Sequence, residues 1–216
     1  MYKRQAIDHA AQRLRAIQKT HGRNSIGAIS SSRCTNEEVY LVQKLVRSAF
    51  GNNNIDTCAR VCHSPTGYGL KTTLGESAGT QTFESVAHAD VVVVMGSNPT
   101  EAHPVFGSRL KKRLREGARL IVIDPRGIEL VSAPHIRADY HLAVNTGANV
   151  ALLNALAHVI VSENLQASDF IAQRCDNEAF AEWVAFISET RHSPEQQEQA
   201  IGVPADKLRG AARLYA

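Results

Sequence analysis

The sequence predicts an α/β fold: a parallel sheet flanked by helices, with part of a second α/β unit at its N-terminal end. Three observations carry this. Asp90–Met95 and Leu120–Ile123 are near-continuous apolar runs rich in β-branched residues, the pattern of strands covered on both faces. A helical pattern separates them, and polar turn residues follow each run, as in alternating strand–helix architecture.

The elements follow in order. Ile7, Ala10, Ala11, Leu14 and Ile17 recur at helical spacing, with His21-Gly22 as a stop. Residues 25–30 read as a short buried strand. Thr35 with Glu38 forms a capping box that opens a helix through Phe50, ended by the polar run 51–54. Ser64-Pro65 starts another helix, because serine caps and proline suits the first helical position. After the strand at 90–95, Gly96-Ser97-Asn98-Pro99 turns the chain into a helix through Arg115, stopped by Gly117. The strand at 120–123 ends at Asp124-Pro125-Arg126. Tyr140–Val144 is a third strand, followed by Thr146-Gly147-Ala148-Asn149 and an apolar helix to about Ser162. The remainder is helical: 168–174, 177–187 and a last helix after Pro204. Both ends read as cut, which predicts a fragment of a longer protein and leaves open whether Met1–Gln5 is native.

Composition narrows the function classes. The chain has 216 residues, 44% apolar, with a net charge of +3, enough to bury a core. Neither a membrane-spanning run nor a secretory signal pattern is present, so no membrane partner is expected. The cluster Arg109, Lys111, Lys112, Arg113 and Arg115 reads as a solvated helix face. With only six Phe, five Tyr and one Trp to stack on bases, no nucleic-acid partner is expected. Four unevenly spaced cysteines argue for a reducing compartment, with cytoplasm as the default.

Ligands of an open parallel sheet bind outside the carboxyl ends of the strands. Three such ends carry polar turns: Gly96-Ser97-Asn98, Asp124-Pro125-Arg126 and Thr146-Gly147-Ala148-Asn149. Glycine lets backbone approach a phosphate, and a following helix N-terminus favours an anion. Asp124 could accept from a ribose or guanine, and Arg126 could pair with a pyrophosphate. Each alone could be a mere turn; the three together point to nucleotide-like binding. No GxGxxG or Walker A motif is present.

Cys58-Ala59-Arg60-Val61-Cys62-His63-Ser64-Pro65 closes a loop before a helix. A thiolate beside an imidazole offers a soft metal ligand next to a proton acceptor. CxxxCH has one residue too many for c-type haem attachment, and a structural zinc would need a fourth ligand. Cys34 and Cys175 are expected to be buried inert thiols, with Cys58 among them. His103 stands before Pro104 at a helix start near the ligand edge, and His158 reads as a satisfied core residue.

Together these segments resemble the molybdopterin oxidoreductase superfamily, specifically the catalytic alpha subunit of molybdenum- or tungsten-dependent formate dehydrogenases. The segments are Ser31-Ser32-Arg33-Cys34-Thr35-Asn36-Glu37-Glu38, Asn53 to His63, Gly96-Ser97-Asn98-Pro99 with His103-Pro104, Asp124-Pro125-Arg126 and Ala151 to Leu156. Residues 64–70 and 78–81 look most like the cytoplasmic NAD-dependent branch. The resemblance implies that Cys62 binds the metal of a bis(molybdopterin guanine dinucleotide) cofactor and that His63 assists oxidation of formate to carbon dioxide. Arg33, Gly96, Asn98, Asp124, Arg126, Gly147 and Asn149 fall where the family contacts that cofactor, with Asn149 standing where many members have Asp. It further implies that 1–57 is a partial cofactor-binding α/β domain and 58–216 most of a second, Rossmann-like one. Iron–sulfur clusters would lie in other parts of the parent protein, and electrons would pass to NAD through partner subunits. The isolated piece is therefore expected not to turn over formate. A nitrate reductase would share the sheet-edge motifs without a Cys-His pair, and a non-catalytic module of the same fold would lack the metal.

Overall fold

The structure, a computed structural model, describes residues 2–216. Contacts divide the chain into two compact units, one ending at Thr80 and one running Gln81–Ala216. Position 57/58 lies within the first of these units. No helix among the described residues is long and apolar enough to cross a membrane.

In the first unit, α1 (Tyr2–His21) starts upstream of the expected pattern and stops at Gly22, whose φ is 85°. The strand expected over 25–30 is shortened to β1 (Ala28–Ser30), because Arg23–Ser25 coils into a 3-10 turn. The capping box forms: the Thr35 amide donates to Glu38 Oε2 at 2.8 Å and the Glu38 amide to Thr35 Oγ1 at 3.3 Å. It opens α2 (Asn36–Leu45), which widens into a π-turn, Val46–Phe50, before Gly51 ends it in the left-handed region. Gln18 Nε2 donates to the Phe50 carbonyl at 2.9 Å, tying α1 to that turn. β2 (Ile55–Thr57) pairs parallel with β1, Ser30 opposite Thr57. α3 (Ser64–Leu74) begins with Pro65 in its first turn and ends at Gly75.

The second unit holds a parallel sheet in the order β3 (Val91–Met95), β4 (Arg119–Ile123), β7 (Tyr140–Leu142). The chain passes between them through α4 (Pro99–Ala102), α5 (Pro104–Arg115) and the hairpin β5 (Ser132–Ala133), β6 (Ile136–Arg137). It then closes with α6 (Asn149–Ser162), α7 (Ser168–Arg174), α8 (Asn177–Ile187), α9 (Pro194–Ile201) and α10 (Ala205–Tyr215). Side chains alternate across a strand, so β4 divides its residues between two cores. Leu120 and Val122 pack with Val94, Leu110, Ile128, Leu130 and Ile136. Ile121 and Ile123 pack with Leu142, Leu152, Ile201, Leu208 and Ala211. Helices therefore lie on both faces, as expected.

Four expectations are modified. β3 is an edge strand, and Val93 and Met95 remain 38% and 37% exposed rather than buried on both faces. The single helix expected to reach Arg115 breaks at His103 (φ −140°, ψ 64°), since the residue before a proline is pushed out of the helical region. Lys111 and Arg113 are not free on a solvated face: Lys111 pairs with Glu129 at 2.6 Å, and Arg113 Nε donates to the Ala89 carbonyl at 2.9 Å. The hairpin and α9 went unforeseen, because two-residue strands carry no period and α9, PEQQEQAI, is mostly polar.

Leu120→Ala should lower the unfolding free energy in urea titrations by about 2–5 kcal/mol. Val93→Ala, at the half-open edge, should cost well below that. Equal losses would contradict the division of β4 between two closed cores.

Candidate functional site

The carboxyl edge of the second sheet is built by register. Met95 pairs with Ile123, and Ile123 with Leu142, so Gly96 and Asp124 leave the sheet at one level, where the Gly96 amide still donates to the Ile123 carbonyl at 2.9 Å. Gly96 and Gly147 have φ of 58° and 85°, and a Cβ on either would meet nothing within 4 Å. Their backbone conformation requires glycine, and both leave open space beside the main chain. Gly147 leads into α6, which starts at Asn149 with no side-chain cap on its first amides, an arrangement that favours an anion.

Asp124 is only 2% exposed. Its Oδ1 accepts from the Arg126 amide at 2.8 Å and from Arg126 Nε at 3.2 Å. Burial raises its pKa, but the Arg126 hydrogen bonds and charge outweigh that and hold it below the ordinary carboxylate value. The structure thus brings Asp124 and Arg126 together as a pair: a sunken carboxylate steadies a guanidinium that is 71% exposed. His141, unremarked in the sequence, donates from Nε2 to the Asp124 carbonyl at 2.9 Å and pins the same turn from β7. Only the strand pairing of 141 with Val122 could have pointed to it.

Asn98 precedes α4, and its Oδ1 is buried without a hydrogen-bond partner among the described residues, as is Thr100 Oγ1 two residues on. An unmet buried polar atom costs about 1–3 kcal/mol, so a donor reaching either oxygen would stabilise this turn. Gly107 lets α5 approach this turn, since a Cβ there would stand 2.9 Å from the Pro99 carbonyl oxygen. His103 is exposed at the start of α5.

The remaining expected residues lie in the first unit, at the carboxyl ends of β1 and β2. Arg33 is exposed in the loop after β1. Cys62 and His63 are exposed in the turn between the 3-10 segment Cys58–Arg60 and α3, where the Cys62 amide donates to the Ala59 carbonyl at 3.3 Å. Cys34 and Cys175, expected to be buried, are exposed, because both stand in turns rather than in a core. Cys58 is half-buried and hydrogen-bonded on both sides to Ser32. His158 is the core residue expected, with Nδ1 donating to the Ile187 carbonyl at 2.8 Å.

Polar turns at parallel-strand ends, open glycines and an exposed Cys-His pair coincide with one family. The family model described as molybdopterin oxidoreductase matches residues 4–205. The chain belongs to the molybdopterin oxidoreductase family. Among its relatives, "Formate dehydrogenase H" of Escherichia coli is 40% identical over 213 residues, covering 98% of this chain and 29% of that protein. The "F420-dependent formate dehydrogenase subunit alpha" of Methanocaldococcus jannaschii is 38% identical, over 89% of this chain and 28% of its own length. A "Nitrate reductase" of Symbiobacterium thermophilum is 32% identical, over 97% and 28%. Among solved structures, acetylene hydratase from Pelobacter acetylenicus matches with a TM-score of 0.63 at 25% identity, over 96% of this chain and 27% of that one. The chain spans under a third of the length of these curated relatives.

A molybdopterin cofactor fits the residues on view. In the second unit the open glycines and the uncapped α6 suit phosphates; in the first unit, taken by itself, Cys62 offers an exposed sulfur.

Because the native pKa of Asp124 lies below its unfolded value, its stabilising contribution is present above the ordinary carboxylate pKa. It is lost as pH falls through the native value. Asp124→Asn should therefore cost about 1 kcal/mol at neutral pH, and that deficit should shrink towards pH 3 in denaturation curves. A deficit that grows on acidification would refute the Asp124–Arg126 assignment.

Proposed function

We propose that this chain is the metal-ligating part of the catalytic subunit of a formate dehydrogenase, holding molybdenum or tungsten in a bis(molybdopterin guanine dinucleotide) cofactor. The observation that carries the reading is the Cys62-His63 pair, exposed at the carboxyl end of β2. It sits in a chain 40% identical to one formate dehydrogenase and 38% identical to another. When bound, the metal supplies the two-electron redox chemistry of the reaction.

This chain's residues do the rest. Cys62 presents a sulfur whose thiolate form is the ligand. Oxidation of formate yields carbon dioxide, one proton and two electrons. His63, adjacent to that sulfur, takes or positions the proton through its imidazole nitrogen. Arg33 and Arg126 carry exposed positive charge suited to phosphates, while Gly96, Gly147 and Asn149 present backbone and a helix start. Asn98 supplies an amide edge. Asp124 fixes Arg126 rather than reaching outward itself.

The finer assignments rest on segment resemblance. Residues 64–70 and 78–81 support electron transfer to NAD through a partner subunit, with iron–sulfur clusters elsewhere in the parent protein and a cytoplasmic setting. The F420-dependent relative makes F420 the rival acceptor. A nitrate reductase reading draws on the Symbiobacterium relative but lacks an account of His63 beside Cys62.

In the complete subunit, formate-dependent dye reduction should vanish in Cys62→Ser while the fold survives. His63→Ala should lower kcat by about 10²–10⁴-fold. Full activity in Cys62→Ser would overturn the metal-ligand assignment. Nitrate-dependent dye oxidation without formate activity would favour the rival.

A further inference from the structure

We infer that Cys58 is a positioning residue for the metal-ligating loop, acting as a latch between the two loops that leave the first sheet. The inference rests on the reading of Cys62 as metal ligand. Strands β1 and β2 run side by side and their ladder ends at Ser30 and Thr57. Beyond it the loops separate, one carrying Arg33 and the other Cys62 and His63. Among the described residues, the side-chain hydrogen bonds that cross between these loops are both made by one sulfur. The Ser32 amide donates to Cys58 Sγ at 3.3 Å, and Cys58 Sγ donates to the Ser32 hydroxyl at 3.4 Å.

Each loop is otherwise braced only against itself. Ser31 Oγ accepts from the Arg33 amide at 3.1 Å, and the capping box holds Thr35. On the other side, Thr57 Oγ1 accepts from the Ala59 amide at 3.4 Å, and Asp56 pairs with Arg60 at 2.8 Å. The Cys62 amide then bonds back to the Ala59 carbonyl. Cys62 is exposed and, among the described residues, no side-chain hydrogen bond reaches it, so its place is inherited from the turn that Cys58 begins. A thiol that both accepts and donates sets the distance between that turn and the Arg33 loop. Alanine removes both bonds. Serine keeps both functions on a shorter C–O bond.

The test uses the complete subunit in metal-free and metal-loaded forms. Without metal, Cys58→Ala should speed amide hydrogen exchange over residues 31–35 and 58–63 at least about fivefold, a factor of about five being the effect of each ordinary hydrogen bond lost. With metal, the same variant should shift the electron-paramagnetic-resonance signature of the metal and lower kcat while leaving the formate KM in place. Cys58→Ser should restore most of the parent behaviour, which a purely packing role would not predict. Unchanged exchange and an unchanged spectrum in Cys58→Ala would overturn the latch. Should that variant not fold, Ser32→Ala, which deletes only the hydroxyl partner, should shift the spectrum in the same direction, and an unchanged spectrum there also overturns it. A parent that carries metal but does not oxidise formate would end the formate reading alone, since exchange and spectrum still judge the latch.

Discussion

The second unit depends on one five-residue strand, β4. It is paired on both edges, to β3 and β7, and its side chains alternate between two closed apolar clusters. Each neighbouring strand is placed by hydrogen bonds to it, and the helices on each face are placed by its side chains. Asp139 accepts from the Leu120 amide at 2.7 Å and from Arg119 Nε at 2.6 Å, closing its start. Its other end must stop where Asp124 begins, because an ionised carboxylate cannot continue into the core unpaired. The place where chemistry becomes available is therefore set by the same strand that organises the packing.

That constraint explains the character of the sheet edge. Asp124 is buried because it follows a buried strand without a break, and it stays ionised because Arg126 meets it with backbone and side chain. The pairing spends the carboxylate inwardly and leaves the guanidinium facing outward. On the opposite side, an ionic clamp of Glu163 with Arg209 and Arg213, and of Arg209 with Glu195, ties α6 and α9 to α10. The helix whose N-terminus lies at the sheet edge is thereby held at its far end.

The first unit solves a different problem with less material. Its two-stranded sheet has little core, and much of its helical surface is exposed. Order at the loops that leave this sheet comes instead from short polar bonds: the Thr35 capping box, the Thr57 and Asp56 contacts, and Cys58 against Ser32. Few buried contacts and many local hydrogen bonds describe a segment of low local stability. Such loops can adjust around a large group while a bonded sulfur keeps their spacing.

The sequence alone determined the parallel α/β class and the positions of most elements. The β-branched runs, the capping box and the Gly stops are local signals, each written within a few residues. The Cys62-His63 pair and the polar strand ends were legible for the same reason, as was the family. Tertiary structure decided what depends on partners distant in the chain. It made β3 an edge strand, placed His141 under Asp124, left Cys34 and Cys175 in the open, and set Cys58 against Ser32. None of these can be read from spacing, because burial and hydrogen-bond partnership belong to pairs of residues that only folding brings together.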